Sequence, residues 1–270
     1  QVLKTTFQGT KGQTVTLDVE AQRLGSNLRP TVRLYDPRGR QVAWSPPRYQ
    51  VGGDARCTTA LTLDGLYVIE LHDQLYKAAD PAPFRLKIGD FGYAEATFPL
   101  AVRSGTKATL TTLLGNLPQS IPWEAAADLP PGLTPTPWPA TVNPAGRGPR
   151  VLVTEVVEHA APLTAPVAVP CGISAVLDAA GTEQLHILNV TAGQKLRFDV
   201  MGRRLGSPID AVLTVRNDKG AQLATNDDRP GNSDSLLEFV VPNDVKQLQV
   251  GVKDMQSRGG IFAGSPYEVR

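Results

Sequence analysis

The chain has 270 residues, 41% of them apolar, with 27 Lys and Arg against 26 Asp and Glu. That length suits two or three ordinary domains, each able to bury a core, and the balanced, interspersed charge gives no electrostatic basis for binding nucleic acid or an acidic membrane surface. Uninterrupted apolar runs such as Phe239–Val241 fall far short of the roughly 20 residues that span a bilayer, so no membrane insertion is expected.

No charged-then-apolar leader opens the chain at Gln1, as expected of a mature product or an excised fragment. From there the first strand with clear alternation is Thr14–Glu20, followed by Thr31–Tyr35, Arg40–Trp44, Cys57–Leu63, Leu66–His72 and Phe84–Ile88. A period of two puts one face inward and the other toward water. Asp36-Pro37-Arg38-Gly39 and Asp64-Gly65 between them are turns, because Pro fixes φ, Gly accepts positive φ and Asx side chains bond the local backbone. Beyond them, Phe98–Gly115 and Val151–Val157 alternate on either side of a Pro-rich stretch from Pro118 to Pro149, which is expected to lie over the surface as a loop.

The later part repeats the earlier one. Shifted by 181 positions (193 minus 12), Gly12-Gln13 falls on Gly193-Gln194, Asp18-Val19 on Asp199-Val200, and Arg23-Leu24-Gly25-Ser26 on Arg204-Leu205-Gly206-Ser207. Gly39, Gln41, Ala43 and Asp73 meet Gly220, Gln222, Ala224 and Asp254. The second copy has strands expected at Leu185–Val190, Lys195–Val200, Ala211–Arg216, Ala221–Thr225, Leu236–Val241 and Leu248–Val252, with an extra one in front at Val167–Leu177. The first copy has no counterpart of that extra strand, and the chain stops within a closing strand at Tyr267–Arg270, as expected of a piece cut from a longer polypeptide. Many short strands at turn spacing, with no 3.6-residue period, predict an all-β protein. The expected architecture is two jelly-roll-like β-sandwich repeats, residues 1–90 and 166–270, with an immunoglobulin-like β-sandwich over 91–165 between them.

The residues Gly193-Gln194, Arg204–Ser207, Asp210, Asp218-Lys219-Gly220, Asn226-Asp227-Asp228, Asp234 and Asp254 resemble the bacterial pre-peptidase C-terminal domain, in the form found in large secreted proteins of planctomycete-type bacteria. The middle segment is similar to immunoglobulin-like modules that accompany such domains. The resemblance implies export (secreted, cell-surface or periplasmic) and an accessory role beside secreted peptidases. Some members bind matrix polymers such as collagen, and some bind calcium.

Asp210, Asn226, Asp227, Asp228 and Asp234 lie at strand ends that can converge at one edge, and calcium takes about 6–8 oxygen ligands of this kind. The same residues also make ordinary turns, so both readings stand. In the first copy Arg29 replaces Asp210, Ser45-Pro46-Pro47 replaces Asn226–Asp228, and Asp54 lies one position out of register with Asp234, so no calcium is expected there. The Arg-Leu-Gly-Ser segment is a structural turn, with Leu24 and Leu205 facing inward and its Arg bridging a nearby carboxylate. Trp44, Tyr49, Trp123 and Trp138 are expected to plug core edges, with sugar stacking as the alternative. Cys57 and Cys171 read as two free thiols or as a cross-domain disulfide.

Catalysis has little support. His72 and Asp73 are neighbours in a strand and point to opposite faces, and no nucleophile, metalloprotease or phosphate-loop motif occurs. The sequence therefore reads as a non-catalytic extracellular accessory, adhesion or spacer module, its partner an extracellular protein or matrix polymer. The alternatives are a carbohydrate- or collagen-binding module, or a non-catalytic fragment of a larger secreted peptidase.

Overall fold

The computed structural model describes the whole chain except residues 49–50, 78–80, 116–119, 137–147, 178, 180 and 256–264. Among the described residues there is no α-helix, and two compact units are formed, one containing Gln1–Tyr93 and the other Ala94–Trp138 and Gly148–Arg270.

The first unit is one sandwich. Strands β1 (Val2–Gly9), β2 (Thr14–Glu20), β3 (Pro30–Tyr35), β4 (Gln41–Ser45), β5 (Arg56–Ala60), β6 (Gly65–Asp73) and β7 (Arg85–Gly89) form two sheets, ordered β1-β6-β3-β4 and β5-β2-β7. The alternation of β2, β3 and β6 sends Val15, Leu17, Val19, Val32, Leu34, Tyr67, Ile69 and Leu71 into a single core between them.

The second unit opens with six strands: β8 (Ala94–Phe98), β9 (Ala101–Arg103), β10 (Lys107–Gly115), β11 (Ser120–Glu124), β12 (Gly132–Pro135) and β13 (Arg150–Thr154). They make two three-stranded sheets, β11-β10-β8 and β12-β13-β9, closed over Val102, Leu110, Ile121 and Val151. A β-sandwich thus stands between the two repeats, as expected. Of the Pro-rich stretch, residues 118–119 and 137–147 lie outside the described residues.

The last sandwich begins at Val157, earlier than the expected boundary at 166. Its strands are β14 (Val157–Ala160), β15 (Val167–Ala168), β16 (Cys171–Leu177), β17 (Glu183–Asn189), β18 (Lys195–Met201), β19 (Ala211–Asn217), β20 (Gln222–Asn226), β21 (Leu236–Val240), β22 (Gln247–Asp254) and β23 (Ser265–Val269). The sheets run β15-β17-β22-β19-β20 and β14-β16-β23-β18-β21. With β14, β15 and β16 removed, these orders are those of the first sandwich, β17 to β23 standing for β1 to β7.

The repeat extends to individual hydrogen bonds. Gln13 Oε1 accepts from the Thr10 N–H as Gln194 Oε1 does from Thr191. Asp36 Oδ1 accepts from the N–H groups of Arg38 and Arg40 as Asn217 Oδ1 does from Lys219 and Ala221. Both hairpins turn on a glycine with positive φ, Gly39 at 75° and Gly220 at 81°.

Candidate functional site: an arginine–aspartate clasp and an exposed aromatic row

Each Arg-Leu-Gly-Ser segment is a one-turn 3-10 helix held by a buried aspartate. In the first repeat Asp54 Oδ1 accepts from the N–H groups of Ala21 (3.0 Å) and Gln22 (2.7 Å), while Oδ2 accepts from Arg23 Nε (2.7 Å). In the second, Asp234 Oδ1 accepts from Gly202 (3.0 Å) and Arg203 (2.8 Å), and Oδ2 from Arg204 Nε (2.6 Å). The guanidinium reaches on to a second carboxylate, Asp18 at 2.9 Å from Arg23 and Asp199 beside Arg204. Charge-assisted bonds of this kind are the strong ones, and the turn's otherwise orphaned N–H groups are satisfied by the same oxygens. The expected bridge from Arg to a carboxylate is therefore present in both repeats.

That arrangement decides how the expected calcium ligands are used. Asp234 is wholly buried and spends both oxygens on the clasp. The Asp210 carboxylate faces Arg203 at 3.6 Å, and its N–H donates to Asp254. Asn226 Oδ1 closes a turn on the Asp228 N–H at 2.8 Å, and Asp227 and Asp228 are exposed. Among the described residues no group of three or more His, Cys, Asp or Glu could hold a metal ion. A donor set in which arginine already neutralises two of four carboxylates does not fit a calcium shell.

Two expectations are corrected. Leu205 is buried, packed with Ala96, Leu100, Ala101 and Leu152 of the middle sandwich, but Leu24 on the equivalent turn is 59% exposed. The turn's residue type permits burial; only a neighbouring module supplies it. Trp123 packs on the core of the middle sandwich as expected, whereas Trp44 is 54% exposed and plugs nothing. Tyr49 and Trp138 lie outside the described residues.

Trp44 ends a row across the outer face of the first repeat. Pairing sets Lys4 opposite Glu70, Glu70 opposite Arg33 and Arg33 opposite Trp44. Lys4 Nζ lies 2.6 Å from Glu70, and the Tyr35 hydroxyl donates to Glu70 at 3.0 Å. The Lys4 hydrogen bond holds the Glu70 carboxyl below its ordinary range. In the second repeat the same four positions are Leu185, Gly251, Thr214 and Thr225. On one scaffold, then, one outer face carries a flat ring beside fixed charges, and the other carries an exposed Leu185 and an Arg216–Glu183 pair over Gly251, with threonine where the ring stands.

Neither His72 nor His186 is set up as a base. His72 Nδ1 bonds the main-chain oxygen of Asp73 at 2.9 Å, not its carboxylate. His186 Nε2 meets the Tyr267 hydroxyl at 2.8 Å, and burial lowers its pKa to about 4. Cys57 and Cys171 are both free, and burial pushes their thiols up to about 12 and about 11, far from a reactive thiolate.

One buried group was not legible in the sequence. Glu268, wholly buried on β23, accepts from Ser174 Oγ at 2.6 Å, and that hydroxyl oxygen accepts the Leu100 N–H at 3.0 Å. A Cβ on Gly172 would lie 2.1 Å from Glu158 Oε2 and 2.4 Å from Glu268 Oε1, so the two carboxyls converge over that glycine. Desolvation, then the charge of Glu158, raises the Glu268 pKa well above the usual carboxylate value. The pair sits where the middle sandwich joins the second repeat.

The chain matches no known family's sequence profile and no curated protein sequence. Among solved structures it is similar to the pre-peptidase C-terminal domain of collagenase from Bacillus anthracis, at 11% identity over 42% of this chain and 93% of that one, with a TM-score of 0.30. It is also similar to the CBM22 tandem of Xyn10C from Paenibacillus barcinonensis (12% identity, 98% and 80% covered, TM-score 0.23). A third likeness is to the CBM51 tandem of a family 98 glycoside hydrolase from Streptococcus pneumoniae (9% identity, 99% and 80% covered, TM-score 0.27). The assignment of an all-β, sandwich-built fold rests on the strand pairing itself, not on these scores. No helix among the described residues is long and apolar enough to cross a membrane.

Proposed function

We propose that the protein is a non-catalytic, extracellular binding module related to pre-peptidase C-terminal domains, in which the first repeat presents the binding face. The observation that carries this is the row Lys4–Glu70–Arg33–Trp44 on the first repeat, where an exposed indole stands beside anchored charges and the second repeat has threonine in place of both Arg33 and Trp44. An exposed indole beside anchored charges offers a stacking surface and directional hydrogen bonds, which suits a carbohydrate chain or a matrix polymer such as collagen. The strong charge clusters serve the turns, and arginine stands where a cation would be needed. Probing glycan and collagen arrays with the whole chain tests the reading. Retention by at least one polymer, abolished by Trp44→Ala without a change in melting temperature, is expected; retention by none contradicts it.

A further inference from the structure

Strands β3 and β4 and the hairpin between them, residues 30–45, carry three arginines, Arg33, Arg38 and Arg40, against a single acidic residue, Asp36. Asp36 is buried, and its Oδ1 accepts from the main-chain N–H groups of Arg38 and Arg40. Glu70, which stands opposite Arg33, is engaged by Lys4 at 2.6 Å and by the Tyr35 hydroxyl at 3.0 Å. Among the described residues, none of the three arginines makes an ion pair. The Nε of Arg33 is buried and has no hydrogen-bond acceptor. Arg38 and Arg40 are exposed, as is Trp44 further along β4.

The second repeat builds the same hairpin without this surplus of charge. Its residues 211–226 carry Arg216 and Lys219 against Asp218, and Arg216 is held by Glu183 at 2.9 Å. Thr214 and Ala221 stand where Arg33 and Arg40 do, and Lys219, in place of Arg38, follows Asp218 where the first repeat has Pro37. Both turns nevertheless close on an Asx side chain that accepts the N–H two residues on. The arginines of the first repeat are therefore not what closes its turn. They leave uncompensated positive charge beside an exposed ring. Cross-strand neighbours such as Arg33 and Trp44 stand about 5 Å apart. A sugar ring stacked on Trp44 thus brings a carboxylate or sulfate substituent within reach of Arg33, whose planar fork binds such oxygens in pairs.

We propose that the polymer bound by the first repeat is an acidic polysaccharide, stacked on Trp44 and held through its carboxylate or sulfate groups by Arg33. Arg38 and Arg40 extend the positive edge toward the hairpin tip. The inference rests on the Trp44 row being a sugar-binding face and adds the charge of the sugar. A neutral glycan would leave the Arg33 charge without a counterpart.

Affinity electrophoresis of the full chain tests this with polymers that differ in charge: polygalacturonate against its methyl ester, and dextran sulfate against dextran. The pair that shows the difference tells carboxylate from sulfate. Polyglutamate supplies charge without a sugar ring. The parent is expected to bind one acidic polymer about tenfold or more tightly than its neutral form, the scale of a hydrogen bond to a charged group. Rising salt should shrink that preference, and polyglutamate should not retard the chain. Arg33→Gln should bring the charged and neutral forms level, and Trp44→Ala should weaken binding of both. Arg33 is half-buried, so a variant with both Arg38→Gln and Arg40→Gln, at exposed positions, is measured beside it and should reduce the preference. The inference is overturned if the parent binds neither acidic polymer more tightly than its neutral form, if both variants leave the preference intact, or if polyglutamate is bound as tightly. Retention by a neutral glycan or by collagen that depends on Trp44 then leaves the binding face standing. Retention by no polymer on the arrays contradicts the face as well.

Discussion

Asp54 and Asp234 hold the same turn in the two repeats with donor distances that agree within 0.3 Å, although they stand 180 residues apart (234 minus 54) in a repeat whose register is 181. The segment from Arg48 to Asp54 is one residue longer than that from Arg229 to Asp234, and the extra residue is absorbed before the strand resumes. Removing either aspartate leaves a guanidinium partly buried and three turn N–H groups short of an acceptor. Asp54→Ala and Asp234→Ala are each expected to cost about 3–5 kcal/mol, the scale for breaking a buried pair from one side. Urea unfolding of each variant measures it; a loss below about 1 kcal/mol would mean that the clasp is incidental.

Leu24 and Leu205 occupy one position of that turn in opposite environments. Leu205→Ala is expected to lose about 2–5 kcal/mol as a core truncation, and Leu24→Ala to stay within about 0.5 kcal/mol as a surface change. Thermal melts of the two variants side by side check the contrast.

Calcium is expected to leave stability unchanged. Ligand that binds only the folded state raises the melting temperature by mass action, so equal melts in chelator and in millimolar calcium are the predicted result. A rise of several degrees that Asp227→Asn and Asp228→Asn abolish would restore a cation site to the second repeat.

Two buried groups make stability depend on pH in opposite directions. Glu268 has a folded-state pKa above its unfolded value, so its contribution is complete below the unfolded pKa and is lost as pH rises through the folded one. Glu268→Gln should therefore flatten the decline at higher pH. His186 has a folded pKa depressed to about 4, so its contribution is present above about 6.5 and is lost as pH falls through the range between. His186→Gln should flatten the acid side. Chemical denaturation at a series of pH values reads both; parallel curves for variant and parent would contradict the assignment.

The scaffold was legible because alternation, Asx and Gly turns and the 181-residue register all report the same backbone. Strand β1 was not, since the sequence Val2–Gly9 is nearly all exposed and lacks the pattern that burial imposes. Asp54 was hidden by a single added residue, which a gapless comparison reads as a mismatch. The opposite fates of Leu24 and Leu205, and the meeting of Glu158 with Glu268, depend on which module packs against the turn or strand. No local pattern encodes that. Trp44 stood out as an aromatic at a strand end, but its role depended on knowing that Arg33 lies opposite it and Glu70 opposite Arg33.

Affinity electrophoresis of the parent chain, Trp44→Ala and Thr225→Ala through gels containing the polymer found on the arrays tests the division of labour between the repeats. Retardation lost in Trp44→Ala and kept in Thr225→Ala, the matching position of the second repeat, is the predicted result. Equal retardation of all three would place binding elsewhere and contradict the assignment of the first repeat as the binding face.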